Sequence, residues 1–190
     1  GYAAFLGPQQ RGGLLGTGAL ADVKRAGTAA GVWTVAALAA ALFSLANVLG
    51  TPLSEAIRPA VIGQYAWAIP GVRAYLMAAL FAGLIWVGSR YARSLAAAAG
   101  WFVLALAALS FAPLAGHAAG YGDHDLALTS GVAHTWAAAA WAGGLLALAL
   151  HAWRHDPGVT QAAARYSNIA LISVAFLALT GVGNAYTRMD

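Results

Sequence analysis

The stretch Leu126-Ala-Leu-Thr-Ser-Gly-Val-Ala-His134-Thr-Trp136-Ala-Ala-Ala-Ala-Trp141-Ala-Gly-Gly144-Leu-Leu-Ala-Leu-Ala-Leu-His151-Ala-Trp153 contains no Asp, Glu, Lys or Arg. A helix needs about 20 apolar residues to cross the ~30 Å hydrocarbon core of a bilayer, and this run is longer than that. It predicts a transmembrane helix over Leu126–Trp153, and it carries an imidazole, His134, well inside the span. An ionisable side chain in such a place is costly and is a functional-site candidate by default.

Working outward, four more segments read the same way: Thr28–Leu49, Ala66–Gly88 with Pro70 near its start, Leu95–Leu114, and Tyr166–Tyr186. The predicted fold is an all-α polytopic transmembrane bundle of about five helices over residues 28–190. Residues 1–27 are expected to be a Gly-rich loop, with Tyr2–Leu6 as the end of a preceding helix broken at Gly7-Pro8. The segment Thr51–Tyr65, with Pro52, Glu55, Arg58 and Pro59, reads as an interfacial connection holding a short helix. The chain starts at Gly1 without a signal-peptide pattern and stops at Asp190 just after an apolar segment, and is expected to be an excerpt of a longer polytopic protein.

Composition agrees. Hydrophobic residues make up 61% of the 190 and charged residues 8%, where soluble domains carry about 25% charged; the mean hydropathy is +0.71. The chain has no cysteine, which excludes disulfides, thiolate metal sites and thiol catalysis. No basic run or basic-aromatic stripe is present, so no nucleic-acid partner is expected. No nucleophile elbow, P-loop, dinucleotide fingerprint or HExxH element occurs, and no enzyme activity is expected.

Lys and Arg near helix ends set orientation. Arg11, Lys24, Arg25, Arg90, Arg93, Arg154 and Arg165 fall on one predicted side, against Arg58, Arg73 and Arg188 on the other. The first side is expected in the cytoplasm, which puts the loop from His117 to Asp125 outside. His151 and His155 then lie on the cytoplasmic side, about 25 Å from His134 at 1.5 Å per residue. Trp33, Trp67, Trp101, Trp136 and Trp153 lie toward predicted helix ends and fit interfacial belts. Ala140 with Gly144, and Gly181 with Ala185, have the small-xxx-small spacing that lets helices approach in lipid.

Polar groups collect in the outer leaflet. His117 ends the third predicted helix, His134 lies about 12 Å into the fourth, Asn47 and Asn184 lie near outer helix ends, and Met77 is at a similar depth. Asp123-His124-Asp125 forms a solvent-side triplet. Imidazole, carboxylate and thioether are the metal-binding side chains left to a cysteine-free chain. The expected metal site is His117 with His134, with His124, Asp123, Asp125 and Met77 as weaker ligands and Asn47 and Asn184 as pocket support.

The elements Gly116-His117-Ala118, Asp123-His124-Asp125, His134-x6-Trp141-x-Gly143-Gly144-Leu145 and Thr180-Gly181-Val-Gly-Asn184-Ala185, in this order on consecutive helices, resemble the copper resistance protein D (CopD) domain over about residues 65–188. The likeness is greatest to actinobacterial-type chains in which that domain is fused to a CtaG-like cytochrome c oxidase assembly domain. The resemblance implies an inner-membrane protein of copper uptake, tolerance or homeostasis, in contact with lipid and copper, and a fused or associated assembly domain as a partner. It places the family's functional histidines at His117 and His134, with His124 a weaker candidate. The chain lacks the soluble copper domain and Met-rich loops found elsewhere in the family. Copper, as Cu(I) or Cu(II), is thus the expected bound ion. Two other readings stay open: a b-type cytochrome with haem ligated between antiparallel helices, and a non-transporting assembly module.

Overall fold

In the computed structural model, residues 13–115, 124–156 and 158–186 are described. Eight helices are found among them: α1 (Thr17–Leu49), α2 (Leu53–Ala56), α3 (Pro59–Tyr65), α4 (Pro70–Gly88), α5 (Leu95–Leu109), α6 (Phe111–Ala115), α7 (His124–Trp153) and α8 (Val159–Tyr186). No β-strand occurs among the described residues. Five of the helical segments are long and apolar enough to cross a membrane. The chain is an all-α, multi-pass membrane protein.

Helix starts and stops follow local chemistry. Pro70 sits in the first turn of α4 and Pro59 in that of α3, where a missing N–H costs nothing. Gly50 ends α1 in the left-handed conformation, its N–H reaching back to the Ala46 and Asn47 carbonyls. Ser94 caps α5 by accepting from the Ala97 N–H at 3.1 Å.

Two sequence expectations change. The stretch before Thr28 is helical from Thr17 onward. Gly27 there is a packing residue: a Cβ would lie 1.9 Å from Ser89 Oγ, so glycine lets α1 meet the end of α4. The third predicted span is broken at Ser110 into α5 and α6. Pro113 cannot donate to the carbonyl four residues back and its ring crowds that carbonyl, while Ser110 Oγ donates back to Leu106 O at 3.0 Å.

The bundle has two tightly packed pairs, α1 with α4 and α7 with α8. Small residues sit inside and large ones face outward. Gly31 lies under the Trp86 ring, Gly88 under Trp101 and Gly144 under Tyr166. Val32 and Leu171 are 69% and 73% exposed. In lipid no hydrophobic penalty attaches to an outward leucine, and close backbone approach supplies the packing. Helix α6 packs on both α4 and α7, and α5 touches α7 lightly. These lighter contacts join the two pairs.

One end of the bundle gathers the start of α1, the α4–α5 link, and the α7–α8 link. Leu15 N donates to Arg93 O at 3.0 Å and Leu95 N to Gly13 O at 2.8 Å, while His151 reaches Asp22. Lys24, Arg25, Arg90, Arg93, Arg154 and Arg165 all lie at this end. Arg58 and Arg73 lie at the other.

Candidate functional site

His134 sits about 15 Å along α7 from its first residue. Ala133 precedes it and Thr135, Trp136 and four alanines follow, and Gly131, one turn earlier, lies against Pro113 of α6 with an ideal Cβ 3.3 Å from the proline ring. Across the α7–α8 interface, His134 Nδ1 is 2.9 Å from Thr180 Oγ1. The threonine hydroxyl donates its single proton to Phe176 O at 2.6 Å, the back-bond that a mid-helix threonine makes. Its oxygen therefore accepts from His134 Nδ1–H. That assignment leaves Nε2 as the unprotonated nitrogen, without a hydrogen-bond partner among the described residues, and its lone pair can bind a metal or take a proton. Ser130 Oγ donates to Thr180 O at 3.4 Å and ties the same two helices one turn away.

Below this pair, Trp136 Nε1 donates to Leu106 O at 2.8 Å and lies 3.1 Å from Ser110 Oγ. Trp136 thus stitches α7 to α5 at the helix break and is not simply a belt residue. Trp33, inside the lengthened α1, packs against the Ala37–Ala78–Ala79 cluster and is likewise remote from a helix end.

The other predicted site residues divide. His117 and Asp123 lie outside the described residues, as do the side chains of His124, Asp125 and Asn184. Met77 is half-buried on α4, a helix that packs on α1, α5 and α6, whereas His134 lies on α7 against α8. Asn47 is exposed near the end of α1. Among the described residues no group of three or more His, Asp or Glu side chains is close enough to share a metal ion. Among the predicted residues whose side chains are described, His134 is the one held in a defined polar setting.

A second polar centre occupies the far end of α7. His151 Nε2 is 3.1 Å from Asp22 Oδ2 of α1, and its Nδ1 bonds Asp156 Oδ2. Carboxylates only accept, so both contacts are hydrogen bonds when the ring is an imidazolium. Arg25 NH1 adds a contact to Asp22 Oδ1 at 3.0 Å. Sequence reasoning left Asp22 in a loop and did not pair it with His151. The available signal was an acid beside Lys24 and Arg25 in an Ala/Leu/Val segment able to be helical. Thr180 was also passed over, although a hydroxyl four residues after Phe176 in an apolar helix is the pattern of a back-bond.

No family model matches the chain, and neither does any curated protein or solved structure.

Proposed function

We propose that the chain is a copper-binding protein of the inner (plasma) membrane, acting in copper uptake, tolerance or homeostasis, with His134 as the central ligand. The observation that carries this reading is the His134–Thr180 hydrogen bond. Metal-ligating histidines use one nitrogen for the ion and donate the other N–H to an oxygen that fixes ring orientation. His134 has that second half in place, with Nε2 left for the ion. Cysteine is absent, and imidazole serves both oxidation states of copper. His117 is the proposed second ligand, two residues beyond α6, and α6 packs on α7. The Asp123-His124-Asp125 triplet, at the start of α7, would collect the ion at the rim. The CopD likeness of the motifs around His134 and Thr180 adds to this reading.

The excess of Lys and Arg at the His151 end supports a cytoplasmic position for that end, which puts His134 nearer the outer face. Copper would then enter from outside. A fused or associated CtaG-like domain is the partner this reading implies.

The test is metal content. Purified protein loaded with copper and desalted should hold the ion, and a His117→Ala/His134→Ala double variant should lose more than about 100-fold in affinity, beyond the loss from removing an outer-shell partner alone. Equal copper in both proteins would overturn the proposal. An optical Soret band that vanishes in the variant would replace copper with haem, for which a His with a free Nε2 is equally a ligand.

A further inference from the structure

At the basic end of the bundle, far from His134, a cavity of about 510 Å³ lies between α1, α4, α5 and α7. Its size falls within the roughly 300–1,000 Å³ of sites that hold small organic molecules. The walls are apolar and include Ala30 and Trp33 of α1, Trp101 and Ala105 of α5, and Leu146 of α7. From Arg25 to Trp33 the slot follows α1 for about 12 Å. The lighter contact between α5 and α7 leaves this space open.

The ionisable lining residues, Asp22, Arg25, His151 and Arg154, gather at one end. Asp22 is engaged by Arg25 and His151, and Asp156 by His151. Arg154 is exposed and forms no ion pair among the described residues. Two arginines and His151 face two carboxylates, and Lys24, Arg90, Arg93 and Arg165 lie at the same end. The Trp101 indole in the wall also has a buried N–H with no acceptor among the described residues.

An apolar slot does not retain water, and a soluble anion would use the arginines and leave the slot empty. An uncharged hydrocarbon would do the reverse. A molecule with an anionic head and an aliphatic tail uses both, and in a membrane that molecule is a lipid. Basic pockets between transmembrane helices are suited to anionic headgroups. We propose that this cavity binds one acyl chain of an anionic phospholipid, its phosphate held at Arg25 and Arg154. The proposal stands apart from copper binding, since it uses the opposite end of the bundle.

The test reconstitutes the protein in phosphatidylcholine bilayers doped with brominated phosphatidylglycerol or brominated phosphatidylcholine, and reads quenching of the tryptophan emission that a Trp101→Phe variant lacks. Quenching should require roughly 25-fold less brominated phosphatidylglycerol than brominated phosphatidylcholine, and each arginine removed should weaken that preference by about fivefold. An Arg25→Gln/Arg154→Gln variant should treat the two lipids alike. Ala105→Phe, which fills the slot and keeps both arginines, should abolish the quenching, and it serves if the double variant does not fold. Equal quenching by both lipids in the wild type would overturn the proposal, as would an unchanged preference in the arginine variants. Displacement of the brominated lipid by an isoprenoid quinone, insensitive to the arginines, would assign the cavity to a different ligand and overturn it too.

Discussion

One helix, α7, carries two histidines in opposite settings. His134 meets a neutral hydroxyl through one nitrogen and keeps the other free. His151, which is only 9% exposed, meets two carboxylates and has both nitrogens engaged. The difference teaches that burial and polarity alone do not mark a ligand. A metal needs a lone pair, and a ring clamped between two acceptors offers none while both protons are in place. His151 instead joins the start of α1 to the end of α7, across the weakly packed seam between the two helix pairs. Under the proposed function, one histidine serves chemistry and the other cohesion.

The contrast can be broken at either end. The largest effect on stability is expected for His151→Leu. It takes from Asp22, which is 14% exposed at its side chain, one of its two partners and leaves Arg25, and should cost roughly 2–3 kcal/mol, since hydrogen bonds to charged groups contribute about 1.5–3 kcal/mol each. Thermal melts in detergent should show the loss while copper binding stays unchanged; a parallel loss of copper would erase the division of labour. Next comes Thr180→Val, which removes the acceptor for Nδ1–H and should weaken copper binding about tenfold, ~1.4 kcal/mol. Thr180→Ser should restore it, and copper titration of the three proteins would separate orientation of the ring from packing. Asp156→Asn is the mildest, because Asp156 is 44% exposed at its side chain and exposed ion pairs contribute about 1 kcal/mol or less. A melt shift as large as that of His151→Leu would mean that Asp156, rather than Asp22, is the main anchor.

Much of the fold was legible because hydropathy in lipid is a nearly local property. The run from Leu126 to Trp153 and the four other apolar segments are helical, and each corresponds to a segment long and apolar enough to cross a membrane. The errors came from two residue types whose meaning depends on neighbours. Gly27 reads as a loop former until Ser89 is seen against it, and then it is the notch that lets two helices meet. Trp33 reads as a belt residue until α1 is known to begin at Thr17. The site was legible in part. His134 stood out because an imidazole among alanines has no local reason to be there. Its partner Thr180 is 46 residues away, and the Asp22–His151 pair spans five intervening helical segments of unlike length. Such pairings arise from which helices pack side by side, and no local pattern encodes that.

The break at Ser110 has a mechanical consequence. Below it, α5 is held to α7 by the Trp136 indole on Leu106 O. Above it, α6 rests on α7 through Pro113 against Gly131. The short arm is tied on both sides, to α4 and to α7, so the wall one turn from His134 is set by a helix whose direction α5 does not dictate.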